Sequence, residues 1–207
     1  MTHPEDLQPA TQIADALRHA GRNSRPTPVG VPGHDVKVYK SERHLLETVG
    51  EFLAQGLRAG QPLVVIATEA HRKVLVQGLR DRGLDTEKFL SGREATWLDA
   101  RETLSAFMEG ATPNPELFMR TVGSVFERLI NRRNYLVVRA YGEMVDLLWQ
   151  DGNTEGALRL EAMWNELARE HHFGLLCAYS LDNFLSANGV ADLRRVCAHH
   201  THTLQLE

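Results

Sequence analysis

Apolar positions along this chain recur with two periods, and the period switches repeatedly. Leu45, Leu46, Val49, Phe52, Leu53 and Leu57 fall at 3.6-residue spacing between Ser41 and Gly60. This predicts a helix capped by the Ser41 hydroxyl and stopped at the glycine. Leu63 to Ala67 is apolar at every position, the pattern of a strand covered on both faces. Ala70, Val74, Leu75 and Leu79 stripe the next helix as far as Gly83, and Glu94 to Leu98 reads as a strand. Asp99-x-x-Glu102 is a capping box for a helix reaching Glu109. Asn114 followed by Pro115 opens a long helix with Leu117, Phe118, Val122, Val125, Phe126, Leu129 and Ile130 inward. A strand from Leu136 to Tyr141, helices from Glu143 to about Gln150 and from a Thr154 cap to about His171, a strand from Phe173 to Tyr179 and a helix from Val190 to His200 complete the pattern. His34 to Tyr39 supplies the first strand. Apolar strands separated by helices predict a three-layer α/β fold with a mostly parallel sheet.

Residues 1–33 differ from the rest. A weak helix with Ile13, Leu17 and Ala20 on one face precedes a run rich in Pro and Gly from Arg22 to Gly33, so 1–33 reads as a flexible segment and linker and 34–207 as the folded domain. With 207 residues, 43% of them hydrophobic and 24% charged, the chain suffices for one sizeable core. A net charge of -4 with scattered Lys and Arg argues against a nucleic-acid partner. No apolar run approaches the roughly 20 residues that span a bilayer, and the first residues lack signal-peptide character, which points to the cytoplasm and away from a membrane.

In an open parallel sheet the ligand crevice lies at the carboxyl ends of the strands. That rim gathers Thr68, Glu69 and His71, then Asp99 and Arg101, then Arg139, Tyr141 and Glu143, then Tyr179 and Ser180. The turn after Leu63 to Ala67 is Thr68-Glu69-Ala70-His71-Arg72-Lys73, without the glycines that let backbone N–H groups cradle phosphate. Neither the phosphate-loop nor the dinucleotide fingerprint occurs, so no nucleotide cofactor is expected. Arg139 stands in an apolar strand and Glu161 in the apolar stripe of a helix. Each would cost several kcal/mol if buried alone, which predicts a mutual ion pair, either structural or flooring a ligand pocket. Glu143 suits the first turn of a helix electrostatically, and Asn165 lies one turn beyond Glu161. Cys197-Ala198-His199-His200-Thr201-His202 invites a metal reading, but adjacent histidines on a helix point about 100° apart and do not converge. That reading would revive only if His34 or Cys177 came close. No nucleophile elbow is present, and nothing demands an enzyme.

Laid in order, several features resemble the MEDS sensory domain, named for methanogen and methylotroph proteins and the regulator DcmR. They are His34 with Val38-Tyr39, Phe52-Leu53-x-x-Gly56-Leu57-x-x-Gly60, Leu98-Asp99-Ala100, Arg139-Ala140-Tyr141-Gly142-Glu143-Met144 with Trp149, Glu161 and Asn165, Leu176-Cys177-Ala178-Tyr179, and Cys197 with His200. The resemblance implies a RecA- or KaiC-like core without its nucleotide loop, and a sensory, regulatory role with small organic, hydrocarbon-derived ligands. It also implies a separate output module or signalling partner. The expectation is therefore a non-enzymatic sensor whose pocket uses Arg139, Tyr141, Glu143, Glu161 and Asn165, with His34, Asp99 and Tyr179 next. Two alternatives stand beside it: a ligand-free interaction module in a sigma-factor or two-component network, with residues around Ile13 and Leu17 as docking helix, and a metal or thiol redox sensor using Cys177, Cys197 and the histidines.

Overall fold

The apolar runs pair into one six-stranded sheet in a computed structural model that describes residues 9–20, 27–87, 95–133 and 137–204. Its strands are β1 (Gly33–Tyr39), β2 (Leu63–Ala67), β3 (Ala95–Asp99), β6 (Val138–Gly142), β7 (Phe173–Ser180) and β8 (His202–Leu204). They stand in the order β3-β2-β6-β7-β1-β8, every neighbouring pair parallel. Two further strands, β4 (Met108–Glu109) and β5 (Thr112–Pro113), form a separate hairpin.

The direction of chain travel decides which face each helix covers. From β1 to β2 to β3 the chain steps one way along the sheet; from β3 through β6 and β7 to β8 it steps back. Crossovers between parallel strands are right-handed, so reversing direction moves the helices to the opposite face. Accordingly α2 (Glu42–Arg58) and α3 (Glu69–Asp81) pack on one face with Leu63, Val65, Tyr141 and Leu176. The other face carries α4 (Ala100–Ser105), α5 (Pro115–Phe118), α6 (Ser124–Arg133), α7 (Met144–Gln150), α8 (Thr154–Glu170) and α9 (Gly189–Ala198). Phe118, Phe126, Trp164 and Phe173 meet there edge-on or tilted, geometries the aromatic quadrupole favours.

Several boundaries differ from the sequence reading. The helix opened by Asp99 ends at Ser105, not Glu109, because the chain turns into the β4–β5 hairpin around Gly110 at φ +60°, a conformation glycine adopts freely. The helix from Pro115 is interrupted by a π-helical turn, Met119–Gly123, before α6. The α8 cap is Asn153, whose side chain accepts from the Gly156 N–H, rather than Thr154. β8 was not expected: three residues fall below the length at which periodicity can be read. The expected beginnings of two strands, at Glu94 and at Leu136, lie outside the described residues. The weak helix forms as α1 (Pro9–Ala20), with Ile13 and Leu17 buried in the core and the helix packed on α9. Thr27 donates its N–H and its hydroxyl to the Asp35 carboxylate, each at 2.6 Å.

Candidate functional site

Two clusters of buried polar side chains contain residues that the sequence singled out. The first is the carboxyl rim between β2 and β6, where outgoing connections run in opposite directions along the sheet. Glu143, directly after β6, is 4% exposed. Its carboxylate accepts from the Thr68 N–H at the start of α3, meets His71 Nδ1 at 2.6 Å and accepts from the Tyr141 hydroxyl at 3.2 Å. His71 Nε2 meets Glu42 at 3.1 Å. Burial pushes the Glu143 carboxyl up, but the bonds from His71 and Thr68 outweigh it and hold the group below its ordinary range. The same bond to Glu143 raises the His71 imidazole, against the opposing effect of its burial. Glu143 thus closes the crevice itself: its carboxylate sits where a helix N-terminus would hold a ligand's anion.

One helical turn on, Asp146 ties α7 to the rest of the rim. It accepts from the Tyr39 hydroxyl at 2.7 Å, the Ser180 N–H at 3.0 Å and the Asn183 amide at 2.6 Å. Burial raises its carboxyl despite these donors. Tyr39 and Asp146 are site residues that the sequence reading passed over. The available signal for Asp146 was a charge inside the otherwise apolar run Met144 to Trp149, the same signal that singled out Glu161.

The second cluster lies beneath α8, against the start of β1 and the latter half of β7. Glu161 is fully buried. Tyr179 donates its hydroxyl to Glu161 at 2.7 Å, His34 Nε2 stands 3.2 Å and His200 Nε2 3.4 Å from its oxygens, and Cys177 Sγ lies 3.6 Å away. His34 Nε2 is also 3.3 Å from Cys177 Sγ. Asn165 orients the group: its amide donates to the His199 carbonyl at 3.0 Å, which turns its oxygen toward His34 Nδ1, also at 3.0 Å. Burial pushes the Cys177 thiol and the Tyr179 phenol well up and the His200 imidazole down.

The eight residues picked out from the sequence are therefore distributed over four places. Tyr141 and Glu143 meet at the rim; His34, Glu161, Asn165 and Tyr179 meet in the interior cluster. Asp99 caps α4 by accepting from the Arg101 and Glu102 N–H groups, and pairs with Arg72 at 2.9 Å. Arg139 corrects the expectation twice. It pairs with Leu63, the first residue of β2, so it lies at the amino end of the sheet rather than the rim. It does not meet Glu161, because successive strand residues face opposite sides: Arg139 shares the α2 face with Tyr141, while Glu161 lies on the other. Its Nε donates to the Phe52 carbonyl at 2.7 Å and its guanidinium stacks 3.8 Å above the Phe52 ring. Gly56 makes that approach possible, since a Cβ there would meet Arg139 Cδ at 2.7 Å. Burial lowers the Arg139 guanidinium to about 10.

The turn from β1 into α2 is Lys40-Ser41, so this strand too runs into its helix without a glycine loop. Residues 33–201 match the family model of the MEthanogen/methylotroph, DcmR Sensory domain, MEDS. Among solved structures, the chain is similar to a KaiC-like protein from the hyperthermophilic archaeon Pyrococcus horikoshii OT3, at 15% identity and a TM-score of 0.50, over 83% of this chain and 78% of that one. This likeness is one of fold. No curated protein matches the chain.

Proposed function

The chain belongs to the MEDS family of sensory domains, and from that premise we propose that it binds a small organic molecule at the carboxyl rim and relays the binding to a protein partner or output module. The observation that carries this reading is Glu143, a buried carboxylate of the chain itself held by the N–H of Thr68, the N-cap of α3, by His71 and by Tyr141. A ligand with a carboxylate or hydroxyl end competes for the same donors. A hydrocarbon-derived ligand would place its polar end there.

Displacing Glu143 acts directly on α7, because Met144 is the first residue of that helix. The change passes through Asp146 to Tyr39, Ser180 and Asn183, and through Trp149, whose indole donates to the Asn183 carbonyl at 3.3 Å. A ligand shifts such a two-state element only as far as its affinity for the two states differs. The reading requires no catalysis, and among the described residues none at the rim pairs a nucleophile with a base and an oxyanion site. A docking helix at residues 9–20, as in a ligand-free module of a sigma-factor or two-component network, is the weaker reading, since Ile13 and Leu17 face the protein's own core.

Native mass spectrometry of gently purified protein, compared with its denatured mass, tests the proposal. A retained organic adduct that is lost on Glu143→Gln, together with slowed hydrogen exchange across 143–150, supports it. An adduct that survives Glu143→Gln and leaves exchange over 143–150 unchanged places the ligand elsewhere.

A further inference from the structure

The interior cluster has more acceptors than protons. His200 Nδ1 lies 2.8 Å from the Val196 carbonyl, and His34 Nδ1 faces the Asn165 oxygen. Both Nδ1 atoms must donate, so both neutral rings turn a bare Nε2 toward Glu161. Two imidazole lone pairs and two carboxylate oxygens then share the hydroxyl proton of Tyr179 and the thiol proton of Cys177. His200 Nε2, completely buried, makes no hydrogen bond at all.

We propose that His34 Nε2, His200 Nε2, Cys177 Sγ and a Glu161 oxygen form a binding site for one divalent transition metal of the zinc class. The four ligand atoms lie within 4.8 Å of one another. Zinc bonds of about 2.0–2.1 Å to nitrogen and about 2.3 Å to sulfur place neighbouring ligands of a tetrahedral shell about 3.3–3.6 Å apart. Around Glu161 Oε2 the separations are 3.2 Å to His34 Nε2 and 3.6 Å to Cys177 Sγ, with 3.3 Å between those two, and His200 Nε2 stands 3.4 Å from the other oxygen, Oε1, of the same carboxylate. A thiolate and a carboxylate neutralise a dication, so the filled site places no net charge in the core. Binding releases the Cys177 thiol proton to solvent. Both histidines have the carbonyl-type partner on the far ring nitrogen that metal-bound imidazoles show.

The sequence spacing of Cys197 and the terminal histidines does not foresee this set: Cys197 lies outside it, and the ligands come from β1, α8, β7 and the turn after α9. The site is independent of the rim reading, and either stands if the other fails.

Cobalt(II) titrated into the chelator-treated full chain tests the site. One equivalent per chain is expected, with a near-ultraviolet thiolate-to-cobalt charge-transfer band that Cys177→Ser abolishes and Cys197→Ser leaves intact. Asn165→Ala, which removes the His34 orienting contact, is expected to weaken cobalt binding by about 10- to 100-fold. Absence of the band, or its persistence in Cys177→Ser, overturns the proposal. Should Cys177→Ser prove unfolded by circular dichroism, X-ray absorption of the wild-type zinc form decides instead. One sulfur with nitrogen and oxygen neighbours supports the site, and a shell without sulfur overturns it.

Discussion

Glu143 and Glu161 are both glutamates buried to within 4% of complete exclusion, yet their surroundings do opposite things. At the rim, every group facing Glu143 offers a proton: a backbone N–H, an imidazole and a phenol. In the interior, Glu161 accepts from the Tyr179 hydroxyl and the Cys177 thiol but also faces two ring nitrogens whose protons are committed elsewhere. The rim is a satisfied network that a competing ligand has to displace; the interior gathers the converging donor atoms of the proposed metal site. Burial alone therefore does not distinguish a lock from a receptor. The count of donors against acceptors around the buried charge does.

The comparison breaks most sharply at Glu161. Glu161→Ala leaves two imidazoles, a phenol and a thiol facing a void, and is expected to lower unfolding stability by about 3–5 kcal/mol, the range for removing one partner of a buried charge network. Urea denaturation measures it, and a loss below about 1 kcal/mol would mean that the cluster is not a coupled unit. Glu143→Gln keeps an acceptor for the Thr68 N–H but removes the charge opposite His71, so a smaller loss of about 1–3 kcal/mol is expected by the same assay.

The pH dependence sharpens the contrast. The folded-state value of His71 is raised above its ordinary 6.5, so the folded protein holds that proton more tightly than the unfolded chain. The stabilisation is complete below 6.5 and is lost as pH rises through the raised folded value. Glu143, lowered, contributes above the ordinary carboxylate value of 4.5, and that contribution is lost as pH falls through its folded value. Denaturation midpoints of wild type and His71→Asn should therefore diverge most between these limits and converge at alkaline pH. Parallel curves across the whole range would remove His71 from the rim network.

The smallest effect is expected at Arg139. Its terminal Nη2 has no hydrogen-bond partner, and its support is the Phe52 carbonyl and ring. Replacing a buried charge by an apolar side chain of similar length is often neutral or stabilising. Arg139→Met should leave the urea midpoint within about 1 kcal/mol of wild type, or above it. A loss approaching that of Glu161→Ala would restore Arg139 to a role the fold does not give it.

Much of this was legible in one dimension. The spacing of Leu45 to Leu57, the uniform apolarity of Leu63 to Ala67 and the Asp99 and Asn114 caps depend on neighbours within a few residues, which is why they read correctly. Glu143 at a strand-to-helix corner and Glu161 in an apolar stripe were visible as charges out of place. Asp146 carried the same mark. The hairpin after Ser105 and the three-residue β8 were not legible, because segments that short have no period.

The sequence by itself determined the α/β alternation, the absence of a phosphate loop and the presence of charges that had to be buried. Only the tertiary structure decided what each buried charge meets. Alternation along β6 sends Arg139 to the face opposite Glu161, and the parallel register of β1 with β7 carries His34 to Cys177 across 143 residues of chain. A strand slipped by one residue would exchange every such partner, so the pairing of buried charges is a property of the register and not of any local segment.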